Sequence, residues 1–249
     1  MGTKINQLLL NQPPGTVFLT SWLNKNGYSY ALQQQYRLNG WFESLGRGAM
    51  IRSGGERRLN AAISAMQQQG RMEVHAGGRT SLGLQGLSHY LELYRRETLL
   101  FALPGCGLPS WLTNNQWDTT PLLYNTGFIP SLTGLTEFES GLDTIVISAP
   151  ARAMMECISM TPDRFDLLEA YEIMESLNFL PPDEVQQLLE ECVSVKVKRI
   201  FLFLAGKCGH PWLHKLHPER IDLGKGKRSF ANQGVFIKKY LITVPRELA

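Results

Sequence analysis

The sequence predicts an α+β protein, with an N-terminal winged helix-turn-helix followed by a larger mixed α/β C-terminal domain. Two observations point there. Three short helical segments, punctuated by proline and glycine, fill residues 3–39, and a glycine-tipped hairpin follows them. Beyond residue 95 the pattern alternates between β-rich apolar runs and amphipathic helices. The 249 residues are 43% hydrophobic and 19% charged, which is enough apolar content for one large core or two ordinary ones. We place the boundary near Tyr94, with residues 1–94 and 95–249 as the two domains.

The elements follow in order. Residues 3–12 read as a helix, stopped by Pro13-Pro14-Gly15. Thr20 to Asn26 reads as a second helix, with Gly27 in the turn after it. Ser29 is a good N-cap for a third helix running to about Asn39, closed by Gly40. Trp41 to Arg52 folds back around Gly46-Arg47-Gly48 as a hairpin. Ser53-Gly-Gly-Glu56 has the spacing of a capping box for a helix through Gln69. Gly78 to Leu91 reads as a helix and Leu99 to Leu103 as a strand. Residues 104–143 are rich in Pro, Gly, Thr and Asn and read as short strands and loops. Thr144 to Ser148 is a buried strand feeding a helix at Ala149-Pro150. Two acidic helices, split at Pro181-Pro182, occupy 163–194. Lys196 to Lys207 has helical spacing with a basic edge, and residues 235–244 read as a final strand.

The third helix carries the most pointed chemistry. With Ala31 at zero on a helical wheel, Leu32 lies near 100° and Leu38 near 340°, so this arc is expected to face the core. Gln33 near 200°, Arg37 near 240°, Tyr30 near 260° and Gln34 near 300° then face outward. Arginine bidentate to guanine and glutamine to adenine are the usual major-groove readers. Tyr30 and Ser29 suit a phosphate. Arg47 at the hairpin tip would reach the minor groove or backbone, and Arg52 a phosphate at its base.

Charge is distributed unevenly. Residues 1–100 carry 11 Lys/Arg against 5 Asp/Glu, residues 101–195 carry 2 against 14, and residues 196–249 carry 12 against 3. A basic–acidic–basic chain suits a polyanionic partner, although acidic helices neutralising a basic tail would give the same sums. Lys196, Lys198, Arg199, Lys225, Lys227 and Arg228 are the candidates for a C-terminal basic surface.

Other chemistry finds little footing. No apolar run is long enough to cross a membrane and the first residues lack a secretory leader, so a cytoplasmic protein is expected. Cys106, Cys157, Cys192 and Cys208 are widely spaced and read as buried thiols. Cys208, His210, His214 and His217 cluster, but their spacing matches no standard zinc site, so no metal and no cofactor is expected. Gly224-Lys-Gly-Lys-Arg228 lacks the phosphate-loop pattern of nucleotide hydrolases. No Gly-x-Ser-x-Gly, catalytic triad or metal-nuclease pattern stands out, so no enzyme is expected.

Several stretches together resemble one family. Gly15 to Arg52 resembles its winged helix-turn-helix, and His75-Ala-Gly-Gly-Arg79-Thr80-Ser-Leu82 through Leu87 resembles the signature that follows. Val195 to Arg199, His210-Pro211-Trp212, Leu223 to Arg228 and Ile242 to Leu248 resemble its C-terminal domain. The family is AbiEi, transcriptional regulators that act as antitoxins of type IV toxin–antitoxin, or abortive infection, systems. The resemblance implies an N-terminal domain that binds double-stranded DNA at promoter repeats, inverted repeats being the expected form, and represses its own operon. It implies a C-terminal domain that counters a nucleotidyltransferase-like toxin, with no stable complex required, in defence against phage. The residues leave two alternatives open: a winged-helix repressor that senses a small ligand, and a nucleic-acid-processing enzyme.

Overall fold

The computed structural model describes residues 4–10, 12–87, 97–230 and 233–249. It divides into two compact units that interleave along the chain. The first takes Met1–Ala76, Tyr94–Asn125 and Glu137–Val146; the second takes Gly77–Leu93, Thr126–Thr136 and Ile147–Ala249. The spatial division therefore follows no single cut near residue 94. The segment around Tyr94 itself lies outside the described residues.

The first unit opens with α1 (Lys4–Leu9), β1 (Val17–Leu19), α2 (Thr20–Lys25), α3 (Tyr30–Leu38), β2 (Phe42–Gly46) and β3 (Ala49–Arg52). The strands form an antiparallel sheet in the order β1-β3-β2. Helix, helix-turn-helix and hairpin is the order of a winged helix. Leu8, Phe18, Leu23, Tyr36, Phe42 and Met50 build its core, with Phe18 edge-on to Phe42 at 5.5 Å. The strand β1 carries no sequence signal beyond Val-Phe-Leu; pairing with β3 creates it.

The expected capping box at Ser53 does not form. Gly55 packs against the Pro14–Gly15 backbone, so the chain stays extended and α4 (Leu59–Ser64) starts later. Its first N–H is capped from afar, by the Asp118 carboxylate at 2.7 Å. The helix then widens into a π-turn at Ala65–Gln69. Here the three glutamines act as strand surrogates. Gln69 gives its amide N–H to Val17 O and accepts from Leu19 N, closing the free edge of β1. Gln67 donates to Val74 O and Val146 O and accepts from Val146 N, while Gln68 donates to Thr144 O.

A five-stranded sheet completes this unit, built from β4 (Val74–Ala76), β5 (Glu97–Ala102), β6 (Thr120–Asn125), β7 (Leu135–Ser140) and β8 (Asp143–Ser148) in the order β6-β5-β4-β8-β7. The central strand β4 comes from the N-terminal third of the chain. It is antiparallel to β5, which is parallel to β6.

The second unit is largely helical. It holds α5 (Gly78–Leu84), α7 (Pro150–Met160), α8 (Leu167–Glu175), α9 (Pro182–Glu191) and α10 (Val195–Cys208); the short α6 (Ser110–Thr113) belongs to the first unit. The helix expected to reach Leu91 is shorter, and residues 88–91 lie outside the described residues. Asp166 and Ser194 cap α8 and α10, and Pro150 and Pro182 sit in the first turns of α7 and α9. A buried ion pair ties the family-like signature to α7. The Glu156 carboxylate accepts from Gly78 N at 2.8 Å and Ser148 Oγ at 2.7 Å, and pairs with Arg152 at 3.1 Å. Arg152 also donates to the carbonyls of Ser131 and Thr133.

The expected last strand is instead a hairpin. β10 (Val235–Ile237) turns at Lys238–Leu241 into β11 (Ile242–Val244), and β9 (Arg228–Ser229) pairs parallel to β11. The alternation across 235–244 spans both strands, and only the turn geometry separates them.

Candidate nucleic-acid interface

The recognition-type helix α3 is positioned by three local devices. Ser29 Oγ accepts from Leu32 N, capping its start. Gly27, at φ 86°, makes the turn from α2, where Tyr28 N reaches Leu23 O at 2.9 Å. The third is Gln33. Its amide donates to Thr20 O at 3.1 Å and to Tyr28 O at 2.7 Å, binding the first turn of α2 to the turn before α3.

That geometry corrects the wheel. Gln33 is 2% exposed and reads nothing outside; it is an internal strut. Tyr36, which falls at about 140° on the same wheel, shares its buried face and packs on Phe42. Leu38, expected in the core, is 80% exposed, and Gln35 also faces outward. The outward face therefore comprises Tyr30, Ala31, Gln34, Gln35, Arg37 and Leu38. The signal that separates the two phasings is the Gln33–Tyr36 spacing of three. A glutamine reads as surface until its two backbone acceptors are seen.

The wing is short. Gly46 at φ 114° and Gly48 at φ 100° turn the chain tightly and leave Arg47 exposed at the tip. Its base rests on Trp111 of α6, and Asn115 Nδ2 donates to Leu45 O at 2.7 Å. Arg57 links Asn115 to Glu43 of β2, holding the hairpin from the side. Arg52 is corrected from the phosphate role. Its guanidinium donates to the carbonyls of Leu9 and Gln12, fastening the end of α1 to β3.

The C-terminal candidates split in two. Lys198 and Arg199 are buried, and Lys196 is half-buried, donating to the carbonyls of Ser159 and Thr161; burial lowers its pKa. These three are corrected from the basic surface. Their periodic spacing on α10 gave a basic edge, but that edge turns inward. Lys225 and Lys227 are exposed on the loop before β9, and Arg228 is exposed at the first position of β9. Arg199 grips that loop from beneath, donating to the carbonyls of Leu223 (2.7 Å), Gly224 (3.0 Å), Gly226 (2.7 Å) and Leu241 (3.3 Å). Burial, then the Arg228 charge, lowers its pKa.

The cysteine–histidine cluster disperses. His210 is buried, its Nε2–H donating to Met174 O (2.7 Å) and its ring stacking on Trp212, whereas His214 and His217 are exposed. Burial, with the Glu175 charge, pushes the Cys208 thiol up to about 11. Among the described residues no group of three or more His, Cys, Asp or Glu is placed to hold a metal ion. No helix among them is long and apolar enough to cross a membrane.

Two family models, which between them span the chain, define the class: a transcriptional regulator. The chain belongs to the AbiEi antitoxin family of type IV toxin–antitoxin systems. The family's N-terminal domain, "Transcriptional regulator, AbiEi antitoxin N-terminal domain", matches residues 1–93, and "Transcriptional regulator, AbiEi antitoxin, Type IV TA system" matches residues 95–245. The family is described as one of transcriptional regulators and antitoxins. The crystal structure of the Rv2827c protein from Mycobacterium tuberculosis has a similar fold, with a TM-score of 0.55 at 13% identity, covering 96% of this chain and 89% of that one. None of the curated proteins matches the sequence.

Proposed function

We propose that this chain represses its own operon through α3 and the wing, and that residues 95–249 carry the activity that counters a nucleotidyltransferase-like toxin in the cytoplasm. The observation that carries the DNA-reading half is the outward face of α3. Tyr30 is 59% exposed beside Gln34 and Arg37, with Ser29 at the helix start. Arg37 suits a guanine and Gln34 an adenine in the major groove of promoter repeats, while Tyr30, Ser29 and Arg47 suit phosphates. The exposed Lys225, Lys227 and Arg228 add a second polyanion-facing surface.

A ligand-sensing reading has one observation in its favour. A cavity of about 550 Å³ in the first unit, within the usual ligand range, is lined by Gln12, Trp22, Gln68, Arg71 and Asp143 among others.

Expression of the neighbouring reading frame separates the two readings. Alone it should arrest growth, and co-expression of the full chain should restore it. A harmless metabolic neighbour, or arrest that the full chain does not relieve, would overturn the antitoxin assignment.

A further inference from the structure

We propose that the loop Leu223–Arg228, with the neighbouring ring of Phe236, is a binding site for a single nucleic-acid strand, the loop taking its phosphates and the ring a base. This deepens the polyanion-facing surface proposed above and rests on that reading. The first observation concerns the backbone. Arg199 draws the carbonyls of Leu223, Gly224 and Gly226 inward to one buried guanidinium. In a trans peptide the carbonyl of one residue points opposite to the N–H of the next. The N–H groups of Gly224, Lys225 and Lys227 are therefore turned away from Arg199, toward the open side of the loop. Gly224 N already donates to a carboxylate there, the Asp222 Oδ1 at 2.8 Å. The N–H groups of Lys225 and Lys227 have no partner among the described residues. Glycines at φ 62° and φ 83°, Gly224 and Gly226, bracket Lys225, and backbone that alternates in hand this way forms an anion-receiving concavity.

The second observation is charge. Arg199 is 1% exposed and pairs only with carbonyls, so its charge meets no carboxylate among the described residues. Above it, Lys225, Lys227 and Arg228 also lack a carboxylate partner among the described residues. One buried cation under a rim of three more, against the single Asp222 carboxylate on Gly224 N, leaves the loop with a net demand for an anion.

The third observation selects the strand form. Phe236 is 39% exposed, with Lys227 Nζ 5.0 Å from its ring centroid. Its register on β10 sets it across β11 from Ser229, directly after the loop. A cation beside an accessible aromatic ring is the recurring platform for an unpaired base, which a duplex keeps stacked inside.

The test uses the full chain and labelled oligouridine, oligothymidine and a random duplex of matched length. The wild type should bind both single strands more tightly than the duplex. Lys225→Glu with Lys227→Glu should weaken strand binding about tenfold or more and lower the salt slope by about 0.7 for each phosphate no longer neutralised. Phe236→Ala, which changes no charge, should weaken strand binding about tenfold with little effect on the duplex. Lys215→Glu, an exposed lysine elsewhere in the same unit, should change neither. Unchanged strand affinity in the double variant and in Phe236→Ala, or tighter binding to the random duplex, would overturn the inference. Operator binding retained in that outcome leaves the proposed function standing. Loss of operator binding with strand binding intact removes the proposed function instead.

Discussion

Replacing Gln33 by alanine removes the amide that joins the start of α2 to the turn before α3, leaving the Thr20 and Tyr28 carbonyls without their donor. The expected loss is about 1–3 kcal/mol of stability, read by urea unfolding of the full chain. A surface role would give almost none. Arg47→Ala is expected to leave stability unchanged, because the side chain is exposed. It should weaken operator and scrambled duplex alike and lower the salt slope by about 0.9. A loss confined to the operator would make Arg47 a base reader. Individual residues were the hardest scale to read in the sequence. Arg37 and Tyr30 emerge on the outward face as the wheel expects, but Gln33, Arg52, Lys198 and Arg199 turn inward. Gln33, Arg52 and Arg199 each donate to backbone carbonyls from elsewhere in the chain, although the Gln33 Oε1 has no partner among the described residues, and Lys198 is buried. No local pattern encodes such partners.

At the scale of elements, punctuation was the reliable signal. Ser29 caps α3, Pro150 and Pro182 open α7 and α9, and Gly46 and Gly48 make the wing; the caps at Asp166 and Ser194 are not read in the sequence, and the capping box expected at Ser53 does not form. What failed were elements formed by distant pairing. β1 exists because β3 and Gln69 pair with it, and α4 starts where Asp118 caps it. The glutamine run, which looks like low complexity, is the clearest case. Gln69→Ala should unpair Val17 O and Leu19 N and cost about 1–3 kcal/mol. Amide exchange at Leu19 should quicken by the corresponding factor. Unchanged protection there would mean that β1 needs no surrogate partner.

For the whole molecule, the sequence conveyed the α+β class and the winged helix but not the way the chain interleaves. β4 comes from before residue 94 and lies between β5 and β8, which come after it. A fragment of residues 95–249 would lose that central strand and expose two strand edges. It should therefore melt without cooperativity or aggregate, whereas the full chain should melt cooperatively. A soluble fragment with a sharp transition would contradict this. The same interleaving means that the proposed DNA-reading and protecting roles are best separated by point substitutions in the full chain. The central claim is that α3 reads a specific operator, and one comparison addresses it: binding of the wild type and Arg37→Ala to the chain's own promoter and to a scrambled duplex at fixed salt. Losing a bidentate arginine contact should cost about 1–3 kcal/mol on the promoter, with little change on the scrambled duplex. Equal losses on both duplexes would contradict the claim, because they would make Arg37 a phosphate contact and leave α3 without its reader.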